Sequence, residues 1–71
     1  MDINEIIWVD PDRLGGKPCF RGTRIPVWIL VEYLEAGKSV NDFLETYPDL
    51  PPEMVKGYIR LAHERLTSDV A

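Results

Sequence analysis

The chain has one cysteine, Cys19, and one histidine, His63, among its 71 residues. No disulfide can close within it, and the four Cys/His ligands of a usual structural zinc site cannot be assembled from one copy. Long apolar runs are missing too. The longest are residues 6–9 and 27–31, far short of the about 20 residues a membrane span needs. Asp2 and Glu5 stand where a secretory leader carries bases ahead of an apolar stretch, so no signal peptide is expected and the expected setting is cytoplasmic and reducing. Basic charge is also scarce. Twelve acids against eight bases give a net charge of −4, with a pI near 4.7. A chain-wide cationic surface of the kind that draws nucleic acid is excluded, because such affinity comes largely from neutralised phosphates. Any nucleic-acid surface must be local or built from more than one copy. Residues 1–30 balance Asp2, Glu5, Asp10 and Asp12 against Arg13, Lys17, Arg21 and Arg24, so the acid excess falls in residues 31–71.

What is present fits one small domain, residues 1–71, at the size where a single core only just supports itself, roughly 70–80 residues. Residues 5–10, β-branched and aromatic, read as a short strand, and their contiguous apolar character predicts burial on both faces. Gly15, Gly16 and Pro18 punctuate a loop. Residues 19–25 read as two short β arms turning at Arg21-Gly22. Residues 5–25 thus form a β arm and loop ahead of a helical core over residues 26–67.

Three helices are predicted in that core. Pro26 opens the first, Val27, Leu30, Val31 and Leu34 form its apolar stripe, and Gly37 ends it with a left-handed cap. Ser39 caps the second, with Asp42 in its first turn and Val40, Phe43, Leu44 and Tyr47 on its apolar face; Pro48 stops it. Pro52 begins the third, where Val55, Ile59, Ala62 and Leu66 form one row. Its opposite side is read as carrying Glu53, Lys56, Arg60, Glu64 and Arg65. Leu30, Leu34, Phe43, Leu44, Ile59 and Ala62 are expected in the core. A short capped helix, a tight corner and a longer helix with outward bases are the parts of a helix-turn-helix braced by the first helix. The fold class is therefore mainly α, a three-helix homeodomain-like helix-turn-helix with a short N-terminal β element.

Each chemical motif has a plain alternative. Lys56, Arg60 and Arg65 are candidates for phosphate or base contact; alternatively they form a solvated face paired with Glu53 and Glu64. Arg21 and Arg24, two guanidiniums at a glycine turn, could clamp phosphate or a partner carboxylate; alternatively they mark a surface turn in which Thr23 caps the following helix. Gly15-Gly16-Lys17 is not a phosphate loop, because Pro18 follows and offers no N–H. Cys19 and His63 could form a nucleophile and base, but Cys19 reads better as a small buried hydrophobe, and no enzyme is expected. Trp8 and Trp28 read as core or interface anchors.

The run at residues 14–27, Leu-Gly-Gly-Lys-Pro-Cys-Phe-Arg-Gly-Thr-Arg-Ile-Pro-Val, resembles the small prokaryotic family catalogued as domain of unknown function four-three-three (DUF433). The likeness continues through Tyr33 to Gly37, Ser39 to Tyr47, Pro48 to Leu50 and Val55, and covers roughly residues 5–65 in register. The resemblance implies a homeodomain-like helix-turn-helix behind a small β element, and an antitoxin role similar to VapB antitoxins, with a PIN-like ribonuclease as the encoded neighbour. It implies no catalytic residue and no cofactor.

With the helix-turn-helix pattern, the resemblance implies a DNA-binding antitoxin that represses its own operon and neutralises a PIN-like toxin. Its partners would be operator DNA, that toxin and a second copy in a homodimer, with no membrane and no small-molecule substrate; its DNA-binding residues would be Lys56, Arg60, Arg21 and Arg24. The alternative is a module that binds the partner protein and not DNA.

Overall fold

The computed structural model describes residues 2–12, 14–68 and 70. In chain order it has α1 (Ile3–Ile6), β1 (Ile7–Trp8), a 3-10 turn (Leu14–Gly16), β2 (Cys19–Phe20), α2 (Val27–Glu35), α3 (Val40–Thr46) and α4 (Pro52–Ser68). The protein is mainly helical with a two-stranded N-terminal sheet. The three expected helices are α2, α3 and α4.

The N-terminal strand is shorter than the composition predicts. Ile3 to Ile6 close into one helical turn, in which the Glu5 carboxylate accepts the Asp2 backbone N–H at 2.9 Å. That leaves two residues for β1, which pairs antiparallel with β2 through Ile7 with Phe20 and Trp8 with Cys19. Burial follows suit: Ile6 is fully buried, Ile7 and Trp8 are half-buried, and Val9 is exposed. A contiguous apolar run is here shared between a helix face and a strand edge, so its two faces are not both covered.

The two β arms turn where expected. Gly22 sits at φ +80°, in the left-handed region that glycine adopts without a Cβ penalty. The Phe20 N–H donates to the Ile25 carbonyl at 3.0 Å. Thr23 closes this turn instead of capping α2: its hydroxyl donates to the Phe20 carbonyl at 2.8 Å and accepts the Ile25 N–H at 3.0 Å. The Trp8 indole N–H donates to the Thr23 carbonyl at 2.9 Å, tying the turn back to β1. Pro26 takes the N-cap position of α2, which has no side-chain cap bond.

Helix ends match their signals. Gly37, at φ +82°, ends α2; its N–H donates to the Leu34 carbonyl and that of Lys38 to the Tyr33 carbonyl, the paired bonds of a Schellman motif. Ser39 and Asp42 form a reciprocal box at the start of α3: the Ser39 hydroxyl accepts the Asp42 N–H at 3.1 Å, and the Asp42 carboxylate accepts the Ser39 N–H at 2.8 Å. Leu50 is buried at the α3–α4 corner, and its N–H donates to the Tyr47 carbonyl.

The core draws on every layer. Ile6, Phe20, Leu30, Phe43 and Val55 are fully buried. Phe43 is ringed by Phe20, Tyr33 and Tyr47, with centroid separations of 6.0, 5.4 and 5.1 Å. Of the six residues expected inside, Leu30 and Phe43 are buried, and Leu44 and Ile59 are half-buried. Leu34, 41% exposed, and Ala62 lie at the surface. The reason is tertiary. α2 packs chiefly on α3, and α4 on α1, so the seam between the C-terminal half of α2 and the middle of α4 has no covering element.

Candidate nucleic-acid interface

α3, the corner and α4 give the helix-turn-helix arrangement, and its second helix presents the candidate surface. Lys56 and Arg60, one turn apart, are exposed on the outer side of α4, away from the buried Val55. A shallow concavity follows Lys56, Gly57, Ile59, Arg60 and His63. His63 belongs to this face and is missing from the sequence reading. Its signal was spacing, since positions 56, 60 and 63 share one side of a helix at 3.6 residues per turn.

Arg65 does not lie on this face, contrary to the sequence reading. It stands nine residues beyond Lys56, about two and a half turns, and so emerges on the opposite side. There it lines a groove with Ile3, Ile7 and Leu61. Glu53 and Glu64 are exposed, and among the described residues they form no ion pair with Lys56 or Arg60.

The arginines of the turn have different surroundings. Arg21 folds back on α1 and β1: its Nε–H donates to the Asn4 carbonyl, and its guanidinium lies over the Trp8 ring at 5.8 Å. Arg24 is exposed on the turn before α2. The structure thus brings Lys56 and Arg60 onto one helix face and keeps Arg21 and Arg24 on the β2–α2 turn.

The remaining motifs resolve plainly. Gly15 and Gly16 have φ of +64° and +80° and lead through Pro18 into β2, not into a helix. Cys19 is buried in β2, with Sγ 3.5 Å from the Lys17 carbonyl oxygen, whereas His63 stands exposed on α4. Trp28 is exposed under the Lys17 ammonium at 5.8 Å. The Asp42 carboxyl is held below its ordinary range, chiefly by the hydrogen bond from the Ser39 backbone and then by that of its side chain. Among the described residues, no group of three or more His, Cys, Asp or Glu could hold a metal ion, and no helix is long and apolar enough to cross a membrane.

The sequence profile of the family described as "protein of unknown function (DUF433)" matches residues 7–62. The chain belongs to the DUF433 family. That span holds both β strands, α2, α3 and the Lys56–Arg60 portion of α4. This DUF433 chain is 44% identical over 52 residues to an uncharacterized protein, y4eO, of Sinorhizobium fredii; the match covers 73% of this chain and 24% of that protein. The chain thus spans about a quarter of that relative's length. The crystal structure of a DUF433 member protein from Anabaena variabilis is similar at a TM-score of 0.70 and 31% identity, covering 96% of this chain and 70% of that one.

Proposed function

We propose that this DUF433 chain is an antitoxin of a type II toxin–antitoxin pair, a DNA-binding repressor of its own operon that also neutralises a PIN-like ribonuclease. The observation that carries the DNA-binding half is the outer face of α4, where Lys56 and Arg60 stand exposed and unpaired among the described residues, on the second helix of a helix-turn-helix. A helix so placed enters the major groove and offers its cations to phosphates and base edges. Arg24 and the free edge of Arg21 add positive charge from the β2–α2 turn, the half of the chain without an acid excess. The antitoxin half rests on the family resemblance. A net charge of −4 suits a chain that also docks on a basic protein surface.

The second reading, a module that binds a partner protein and not DNA, is favoured by the acid excess and by the uncovered apolar seam between α2 and α4. One experiment separates the two. Binding of the purified chain to DNA from upstream of its gene is measured by anisotropy over a salt series, alone and with the product of the neighbouring reading frame. Sequence-preferring binding whose affinity falls steeply with salt is expected. Equal, weak binding to promoter and unrelated DNA at low salt, in both arms, would overturn the DNA reading in favour of the second.

A further inference from the structure

The one histidine of the chain stands on the same side of α4 as Lys56 and Arg60. His63 is exposed, and it closes the concavity that starts at Lys56 and passes Gly57, Ile59 and Arg60. Among the described residues its imidazole makes no hydrogen bond or ion pair. The Thr67 hydroxyl, one turn on, donates to the His63 carbonyl and not to the ring.

The charges around the ring are few and mostly positive. Every residue lining the concavity belongs to α4, so no titratable side chain of α1, α2 or α3 lines it. Arg60 and Lys56 precede His63 on its own side of the helix. Glu64 follows it in sequence and turns about 100° away, and Glu53 stands about 15 Å back along the axis. Arg65 lies in the groove with Ile3 and Ile7. A phosphate entering the concavity therefore meets Lys56, Arg60 and His63, and no carboxylate.

Position along the helix separates the roles of these three. A recognition helix sets its N-terminal residues against base edges in the major groove. Lys56 is near the start of α4, and His63 comes seven residues later, about 10 Å further along the axis. The major groove is about 12 Å wide. With Lys56 toward the bases, His63 stands out at the groove wall, where the phosphates are. A neutral imidazole offers a phosphate one N–H donor, and an imidazolium offers two donors and a charge.

We infer that His63 is a phosphate contact at the wall of the major groove and takes up a proton when DNA binds, so that affinity for the operator rises as pH falls. The inference rests on the DNA-binding reading and adds to it a residue and a dependence on acidity. Histidine changes charge between about pH 5 and 8. A proton taken up on binding makes affinity fall as pH rises through that range.

The test is anisotropy titration of the full chain with DNA from upstream of its gene and with an unrelated duplex, from pH 6 to pH 8 at constant ionic strength. Wild-type affinity for the upstream DNA should fall several-fold between pH 6 and pH 8, and its salt slope should be steeper at pH 6 by about one per bound copy. His63→Gln should bind at both pH values as the wild type does at pH 8. His63→Lys, which keeps a charge throughout, should bind at both as the wild type does at pH 6. Circular dichroism should be unchanged in both variants, because the position is exposed. Sequence-preferring wild-type binding with no pH dependence would overturn the inference and leave the DNA reading standing. So would a pH profile that persists in His63→Gln. Failure to prefer the upstream DNA at any pH would overturn the DNA reading and the inference with it.

Discussion

Phe20 and Phe43 meet with ring centroids 6.0 Å apart and planes tilted by 52°. One residue comes from the β hairpin, the other from the first helix of the helix-turn-helix, and both are fully buried. Tyr58 of α4 closes the cluster with its ring edge-on to Phe20, at 5.9 Å. The N-terminal element is thus a structural part of the helical core. Tilted aromatic pairs of this kind contribute about 0.5–1.5 kcal/mol beyond their burial.

Phe43→Ala should therefore be severe, at about 3–5 kcal/mol, against a total stability of only about 5–15 kcal/mol for a domain of ordinary stability. Leu44→Ala, next to it but half-buried, should lose about half as much. Urea titrations followed by circular dichroism decide the order. Equal losses at the two positions would show that Phe43 is not the centre of packing.

The Ser39–Asp42 box gives α3 a pH dependence. The Asp42 carboxyl is held below its ordinary value by its bonds from Ser39. A group whose folded value is depressed contributes stability above its unfolded value, and that contribution disappears as pH falls through the folded value. Stability should therefore drop in the acid range below about pH 4, the ordinary range of a carboxylate. Asp42→Asn should remove part of that dependence. Ser39→Ala should reduce stability by about 1 kcal/mol at neutral pH. Thermal melts between acid and neutral pH read both, and identical acid profiles for wild type and Asp42→Asn would refute the assignment.

Gly37 takes φ +82° with open space where a Cβ would stand. Gly37→Ala should therefore destabilise by about 1 kcal/mol through backbone strain alone, with no clash. Gly37→Asn should be milder, since asparagine tolerates the left-handed region. Chemical denaturation of both variants checks the ranking.

Lys56→Ala and Arg60→Ala should each weaken operator binding, and each should lower the salt slope by about one if the contact is to phosphate. A base contact would instead relax specificity at one position, at roughly 1–3 kcal/mol. Neither change should alter the melting temperature appreciably, because both side chains are exposed and unpaired among the described residues. Arg65→Ala, on the other side of α4, should leave the salt slope unchanged. Anisotropy titrations at several salt concentrations measure all three.

The helical frame was legible because its punctuation is local. Pro26, Gly37, Ser39, Pro48 and Pro52 each act on the backbone within a few residues, so α2, α3 and α4 begin within one residue of their sequence signals, and α2 and α3 end within two. The cationic face was legible in part. Lys56 and Arg60 follow from helical spacing, and the same spacing would have found His63 and excluded Arg65. The α1 turn was hidden because four residues of β-branched and acidic character satisfy a strand pattern as readily as a single helical turn.

By itself the sequence determined that α2, α3 and α4 are helical, where α2 ends and α3 begins, and which face of each is apolar, because backbone sterics, capping bonds and the 3.6-residue period are all short-range. It could not determine which parts of those apolar faces are covered. Leu30 and Leu34 share one stripe, yet one is fully buried and the other 41% exposed. That difference depends on α2 leaning on α3 and α4 on α1, and such long-range packing exists only once the chain has folded. The contact of Arg21 with Trp8 is likewise a matter of tertiary structure, since it joins residues thirteen apart across the β2–α2 turn and β1.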